Sequence, residues 1–160
     1  MSERFIVWLS TTPAVTWLIK RVASRLDPAI FKATNGRLTS MGPPSMPMLT
    51  MTAIGRRSGQ LRPVHLACLE REGDYLVVAS AMGQDRHPAW RYNLEANPEV
   101  EVQVRGDHFE ARARVLSDPE KQEVWDDVRR AIPQMKVYEA RTDRNIRVFR
   151  LSRVGSAGHK

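Results

Sequence analysis

The sequence predicts a mainly β protein of the α+β class, a small antiparallel barrel with peripheral helices. Apolar and polar residues alternate on both sides of the turn Gly106-Asp107, a pattern typical of strands with one face on a core and one in water. About six strand-like segments are joined mostly by short links, as antiparallel neighbours allow. Helical segments stand before the first strand and between later ones, so we expect them around the barrel.

Length and charge limit the class of protein. The 160 residues suit one domain with a substantial core. The single cysteine, Cys68, excludes an intrachain disulfide and favours a reducing cytoplasm. No apolar run reaches the ~18 residues that span a bilayer, and we expect no secretory signal. The net charge of +7 predicts an anionic partner: nucleic acid, an acidic membrane surface or a polyanionic small molecule.

Residues 1–47 are expected to form an amphipathic helical segment and a loop. Within residues 5–31, Thr12 and Pro13 suit a helix start, and Trp8 and Trp17 lie among basic residues. Such a helix either packs on the core or lies on the inner face of an anionic plasma membrane. Residues 36–47, rich in Gly, Pro and Ser, form the loop before the barrel.

The barrel domain is expected over residues 48–154. Its predicted strands are Met48–Ile54, Leu61–Leu69, Tyr75–Ser80, residues 100–105, residues 109–115 and Ile146–Val154. Pro63 indicates an edge or an irregular start in the second strand, since proline cannot donate to a ladder. The continuous apolar run after Tyr75 is typical of a strand buried on both faces.

Three helices are expected between these strands. Pro88 suits the first position of a helix that Asn97-Pro98 closes. Ser117 and Glu120 have capping-box spacing before a helix that Pro133 ends. A short helical piece then carries Met135 and Tyr138. The tail 155–160 is expected to be disordered.

Several kinds of chemistry lack support. The four histidines are scattered without a second ligand at metal spacing, so no metal site is predicted. Cys68 lies in an apolar strand, where a buried inert thiol is expected. Ser58 lacks a nucleophile-elbow context, and no Rossmann or Walker phosphate motif occurs.

The turn GRRSGQ, residues 55–60, is the first candidate binding feature. Glycine permits positive φ and close approach of backbone, and arginine offers a permanent forked donor that suits phosphate and carboxylate. A solvated hairpin end has the same composition, so the turn alone is a weak signal. The second feature, SAMGQDRHPAW, leaves a buried strand and enters a helix whose free N–H groups favour negative charge. Trp90 and Asn93 share a face of that helix, where a planar ligand or the core can lie.

These segments resemble a known family. IGRRSGQLRPVHL, VVASAMGQDRHPAWRYNLEANPEVEVQV and YEARTDRNIRVF occur in the order and spacing of the deazaflavin (F420)-dependent nitroreductases. The resemblance covers residues 49–154 and implies an FMN-binding-like split β-barrel, coenzyme F420 as hydride donor, and a monomer or homodimer. It implies a quinone or another activated conjugated or nitro-type acceptor, which the membrane would supply if residues 5–31 bind there.

The resemblance also assigns residues. For the phosphate and glutamate tail of F420 it implies Arg56, Arg57, Ser58, Gly59, Gln60 and Arg62. For the deazaflavin ring it implies Ala79, Ser80, Met82, Gly83, His87, Pro88, Trp90 and Asn93. On the substrate side it places Ile132, Met135, Tyr138 and Arg141, with Ser80 and Tyr138 as the catalytic hydrogen-bond donors to the acceptor.

The chain departs from the family pattern at two places. Ala81 stands where relatives usually carry a lysine, and Ile132 and Met135 stand where the nitroimidazole-activating member has tyrosines. The second departure gives an apolar substrate wall and disfavours nitroimidazole reduction. Two rivals stay open: an FMN- or haem-binding protein on the same barrel, and a basic membrane or nucleic-acid binder without catalysis. The basic residues are not interleaved with aromatics as in a stacking platform, so we expect no nucleic-acid partner.

Overall fold

The computed structural model describes residues 29–30, 33–34 and 46–155. Most of the expected helix 5–31, of the loop 36–47 and of the tail 155–160 therefore lies outside the described residues. Ala29, Ile30 and Ala33 are helical, and the Thr34 N–H donates to the Ile30 carbonyl at 2.9 Å. Helical structure therefore lies beyond Pro28.

Six antiparallel strands close into a barrel in the order β1-β2-β3-β6-β5-β4, with β4 pairing back to β1. This confirms the predicted architecture. The strands are β1 Met48–Ile54, β2 Leu61–Arg71, β3 Asp74–Val78, β4 Glu99–Val104, β5 Asp107–Val115 and β6 Val148–Arg153.

Strand ends differ from the expectation by a few residues. β2 continues to Arg71, β3 ends at Val78, and β6 begins at Val148. The β4–β5 turn is Arg105-Gly106, because both residues have positive φ, 50° and 82°, and Asp107 already pairs with Val104. The placement of this turn at Gly106-Asp107 was wrong by one residue.

Pro63 lies where the sequence indicated an edge. Residues 61–67 of β2 pair with β1, and the ladder to β3 begins only at Cys68. Within the described chain this half of β2 has one neighbouring strand, so a residue without an N–H is tolerated there.

Over residues 46–155, three helices surround the barrel: α1 Ala89–Ala96, α2 Asp118–Ala131 and α3 Met135–Ala140. A 3₁₀ turn, Ala81–Gly83, follows β3. The capping box of α2 is confirmed, since the Glu120 N–H donates to Ser117 Oγ at 3.4 Å and the Ser117 N–H donates to the Glu120 carboxylate at 2.8 Å. Pro88 is the N-cap of α1, one position before the predicted one.

The apolar residues form two cores. One fills the barrel interior and includes Leu49, Met51, Val102, Phe149 and Leu151. The other lies between the barrel and helices α2 and α3 and includes Leu76, Val78, Trp125, Val128 and Met135. Because Val77 faces the first core while Leu76 and Val78 face the second, β3 is buried on both faces as predicted.

Candidate active site

The Gly55–Gln60 turn closes on itself between β1 and β2. The Gly55 N–H donates to the Gln60 carbonyl, and the Gly59 N–H to the Gly55 carbonyl, both at 2.8 Å. Gly59 has φ +67°, and a Cβ on Gly55 would lie 2.7 Å from Ser58 Oγ. The turn therefore uses both properties for which glycine was expected, positive φ and close approach.

Asn93 joins this turn to helix α1. Its Oδ1 accepts the Arg56 N–H at 3.0 Å, across 37 residues of sequence. The Gln60 N–H donates to Ser58 Oγ at 3.2 Å. The N–H groups of Arg56, Gly59 and Gln60 are thus occupied within the protein, and the turn can offer a ligand its arginine side chains.

A cleft of about 630 Å³ lies between the turn and α1. Its lining residues are Gly55, Arg56, Arg57, Ser58, Arg62, Pro63, Val64, His87, Ala89, Trp90, Tyr92 and Asn93. This volume is within the range of small-molecule sites. The structure therefore brings together the two sequence features that were proposed to bind one ligand.

The mouth of the cleft is positively charged. Arg56, Arg57 and Arg62 are exposed, and no carboxylate of the described residues lies within ion-pair distance of them. The Arg56 guanidinium lies over the Tyr92 ring at 4.8 Å, and Arg62 donates to Ser58 Oγ at 3.4 Å. Three uncompensated guanidinium groups at one opening suit a phosphate or carboxylate ligand.

Trp90 is both a wall of the cleft and a core residue. It is 7% exposed, and its ring meets Phe149 of the barrel interior edge to face at 5.6 Å. Packing against Phe149 holds the indole in place, which suits a rigid wall for a planar ligand.

The other residues expected around a ring divide into two groups. His87 lines the cleft, whereas Ala79, Ser80, Met82, Gly83 and Pro88 do not. Ala79 to Gly83 lie on the segment between β3 and α1, which reaches the cleft through His87. Ser80 makes no side-chain cap hydrogen bond to the 3₁₀ turn that follows it, so its hydroxyl is not committed to capping.

Arg144 binds this segment with all three guanidinium nitrogens. It donates to the carbonyls of Ala79 at 2.9 Å, of Gln84 at 2.7 Å and of Ser80. Its Nη1 also lies 3.1 Å from His87 Nδ1. Because a guanidinium only donates, His87 Nδ1 is the acceptor of this bond. The proton of a neutral His87 ring therefore resides on Nε2.

The charges around His87 favour that neutral form. Its pKa is lowered by burial, and further by the positive charges of Arg91 and Arg144. Sequence reasoning missed Arg144, although it stands three residues after Arg141 in the quoted TDR motif. It also missed Tyr92. Neither an arginine at position 144 nor a tyrosine at position 92 can be recognised as a site residue until the fold shows what lies beside it.

The segment has an unusual backbone and packs closely on α3. Ala81, Met82 and Gly83 all have positive φ, at 46°, 55° and 74°. A Cβ on Gly83 would lie 2.8 Å from both Cα and O of Tyr138. This contact places the segment of Ser80 directly against the helix of Tyr138.

The residues expected on the substrate side occupy different depths. Met135 is 1% exposed and Ile132 7% exposed, and both lie in the helix-side core. Tyr138 packs partly buried on that core, and burial raises the pKa of its phenol. Arg141 is exposed, with its Cβ beside Gly83. Of these four, Tyr138 and Arg141 are the more accessible.

Among the described residues, no three His, Cys, Asp or Glu side chains are grouped so that they could hold a metal ion. Over the same residues, no helix combines the length and the hydropathy needed to cross a bilayer.

Known proteins are similar to this chain in both sequence and fold. A family model described as F420H(2)-dependent quinone reductase matches residues 23–152. An F420H(2)-dependent quinone reductase of Mycobacterium tuberculosis (strain ATCC 25618 / H37Rv) is 36% identical over 144 residues, which cover 86% of this chain and 96% of that protein.

Solved structures agree with this similarity. An F420-H2 dependent reductase, FDR-A, superposes with a TM-score of 0.62 at 36% identity, covering 66% of this chain and 94% of that one. A structure described as a domain-swapped dimer has a TM-score of 0.64 at 31% identity, covering 78% and 95%. A haem-binding protein of Mycobacterium smegmatis, at 15% identity and TM-score 0.52 with coverage of 67% and 46%, shares the fold alone.

Proposed function

The chain belongs to the F420H(2)-dependent quinone reductase family, and from this membership we propose how its cleft binds the cofactor and serves hydride transfer to a quinone. The protein is an F420-dependent quinone reductase, with coenzyme F420 as its cofactor. Family membership thus favours F420 over the FMN and haem alternatives and over a binder without catalysis. The acceptor within the quinone class, and the role of each residue, are proposals.

The arginine cluster is the observation that supports our placement of the cofactor. Arg56, Arg57 and Arg62 form the mouth of the cleft, and the phosphate and glutamate tail of F420 is a polyanion. We place this tail on the turn, because guanidinium groups without carboxylate partners among the described residues gain most from an anionic ligand. Ser58, Gly59 and Gln60 complete the turn that presents these side chains.

The ring is proposed to lie further in, against Trp90 and His87. When bound, reduced F420 supplies a hydride from its deazaflavin ring. The chain orients the ring with the rigid Trp90–Phe149 pair, and the Ala79–Gly83 segment and Pro88 limit the space beyond it. The greater part of the protein's work is therefore binding, orientation and exclusion of water.

Ser80 and Tyr138 are proposed to donate hydrogen bonds to the quinone oxygen as negative charge develops on it. The Tyr138 phenol is protonated at neutral pH, as a donor must be, and burial raises its pKa further. Neither group needs to be a strong acid, because bulk water can supply the proton. Ile132 and Met135 would support the acceptor side from the core beneath Tyr138, and Arg141 would border it.

A titration of the protein with F420, followed by fluorescence, tests the placement. We expect the double variant Arg56→Ala/Arg57→Ala to weaken binding by at least about a hundredfold, since each charge-assisted bond contributes roughly 1.5–3 kcal/mol. The matched control is Arg105→Ala/Arg112→Ala, which removes the same charge from the β4–β5 hairpin, where both side chains pair with glutamates and neither lines the cleft. Equal losses in the two double variants would show a general charge effect and refute the site.

Two further proposals concern the surroundings of the enzyme. Residues 5–31 are proposed to touch an anionic membrane that holds a lipid quinone, on the basis of their basic amphipathic pattern. Flotation with anionic liposomes at low salt tests this, and protein that stays in the soluble fraction contradicts it. A homodimer is proposed because one relative is described as a domain-swapped dimer, and light scattering of the purified protein checks it.

A further inference from the structure

We propose that Arg144 is a positioning residue, whose guanidinium fixes the Ala79–His87 segment in the conformation that binds the cofactor ring. The inference rests on the proposed placement of F420 in the cleft. One side chain would thus determine the conformation of a segment that contributes His87 to the wall of the cleft and Ser80 to the acceptor side.

The first support is the number of contacts that one side chain makes. Arg144 donates to three backbone carbonyls of the segment, those of Ala79, Ser80 and Gln84. Ala79 is 0% exposed, so water cannot replace the guanidinium at that carbonyl without rearrangement. The rigid fork of arginine can bind several acceptors at once, which an ammonium group at the end of a flexible stem does not reproduce.

The second support is the backbone that Arg144 holds. Ala81 and Met82, neither of them glycine, have φ of 46° and 55°. Residues in this region persist only where the surroundings impose it. Arg144 and the contact of Gly83 with Tyr138 both constrain the segment, in addition to the bond from the Ala79 N–H to the Arg147 carbonyl.

The third support is the tautomer of His87. The acceptor role of Nδ1 towards Arg144 leaves Nε2–H as the hydrogen-bond donor of a residue that lines the cleft. The groups that face this ring are Arg144, Arg91, Glu95, Arg147 and the edge-on ring of Tyr92. Three cations against one carboxylate oppose a proton on Nδ1.

The experiment separates the geometry of Arg144 from its charge. Arg144→Gln removes both, whereas Arg144→Lys keeps the charge and loses the fork. Arg147→Gln is the matched control, since its side chain pairs with Asp118 and only its backbone carbonyl touches the segment, accepting the Ala79 N–H. Each variant is first shown to be folded by its circular dichroism and thermal midpoint.

Two readouts are expected to change in different ways. We expect both Arg144 variants to raise the F420 Kd by at least about tenfold, since small displacements of a site cost this much, and Arg147→Gln to change it by less than about twofold. The ¹⁵N signals of the His87 ring should show the Nε2–H tautomer in the wild type. Arg144→Gln should raise the His87 pKa towards its ordinary 6.5, and Arg147→Gln should raise it less, because the charge of Arg147 lowers it less than that of Arg144. Arg144→Lys, which keeps the charge, should leave it lowered.

The outcomes distinguish this inference from the proposed function. If the wild type does not bind F420, the proposed function fails, while the His87 signals still test the positioning role without cofactor. Folded Arg144→Gln protein with unchanged His87 signals overturns the inference. So does an unchanged F420 Kd in either Arg144 variant, because the segment would then not depend on the guanidinium.

Discussion

Replacing Gly83 by alanine should lower the free energy of unfolding by more than the cost of placing an alanine at a positive φ. Gly83 has φ +74°, and an added Cβ would meet both Cα and O of Tyr138 at 2.8 Å. The left-handed backbone costs an alanine about 1–2 kcal/mol. Because the contacted atoms belong to backbone, α3 or the segment must shift, and such overpacking costs about 1–3 kcal/mol more.

The sum of roughly 2–5 kcal/mol lowers the thermal midpoint by roughly 5–15 °C in a domain of this size. Gly73→Ala is the matched control. Gly73 has φ +82° with nothing within 4 Å of its added Cβ, so it carries the backbone cost without the contact. Urea and thermal unfolding, followed by circular dichroism, measure the loss of stability in Gly83→Ala and in Gly73→Ala.

The same variant has a functional readout. A shift of α3 away from the segment moves Tyr138 relative to Ser80, so we expect quinone turnover to fall in Gly83→Ala and to stay unchanged in Gly73→Ala. Equal losses of stability in the two variants, or a larger loss in Gly73→Ala, would refute the tight packing of the segment on α3.

Three other predictions follow from single residues. Tyr138→Phe should lower quinone turnover by about tenfold, the worth of one hydrogen bond, with the F420 Kd unchanged; unchanged turnover would remove the phenol from the reaction. Cys68, 1% exposed and with a thiol pKa raised by burial to about 12, should not react with a disulfide reagent at neutral pH until the protein is unfolded in urea. The pKa of Glu120 is lowered from 4.5 to about 2, first by the hydrogen bond with Arg114, so its contribution to stability is complete above pH 4.5 and lost as pH falls towards 2. The difference in thermal midpoint between wild type and Glu120→Gln should therefore shrink from pH 4.5 to pH 2. A difference that stays constant would contradict the assignment.

The barrel was predictable because its signals are local. Alternation in the β4–β5 hairpin, the apolar run of β3 and the capping box of Ser117 and Glu120 each depend on neighbours in sequence. Errors of one or two residues arose where side-chain patterns continue past the last ladder pair, as at Ser80 and Ile146. The turn at Arg105-Gly106 was shifted because positive φ at an arginine has no sequence signal.

The cleft was only partly predictable. The turn and Asn93 were proposed for one ligand, yet the direct bond between Arg56 N–H and Asn93 Oδ1 requires the fold. Arg144 was missed because most of its partners are backbone carbonyls 60 to 65 residues away, which have no residue type to recognise. The resemblance implied that Met135 and Ile132 form a substrate wall, whereas the packing of α2 and α3 on the barrel buries both side chains.

The seam where the barrel closes has a consequence for folding. β1 pairs with β4 through three residues, Thr50–Thr52, and these pairs join positions some fifty residues apart in the sequence. Because such non-local pairing loses loop-closure entropy before its contacts form, the β1–β4 pairs should form after the local β1–β2, β2–β3 and β4–β5 hairpins. The turn that follows β1 and the helix that precedes β4 form the cleft, so a chain with an open seam has no cofactor site. Because the cofactor would bind only the closed barrel, raising its concentration should stabilise the β1–β4 pairing by mass action. Amide exchange in β1 and β4 then reports most directly how often the barrel opens.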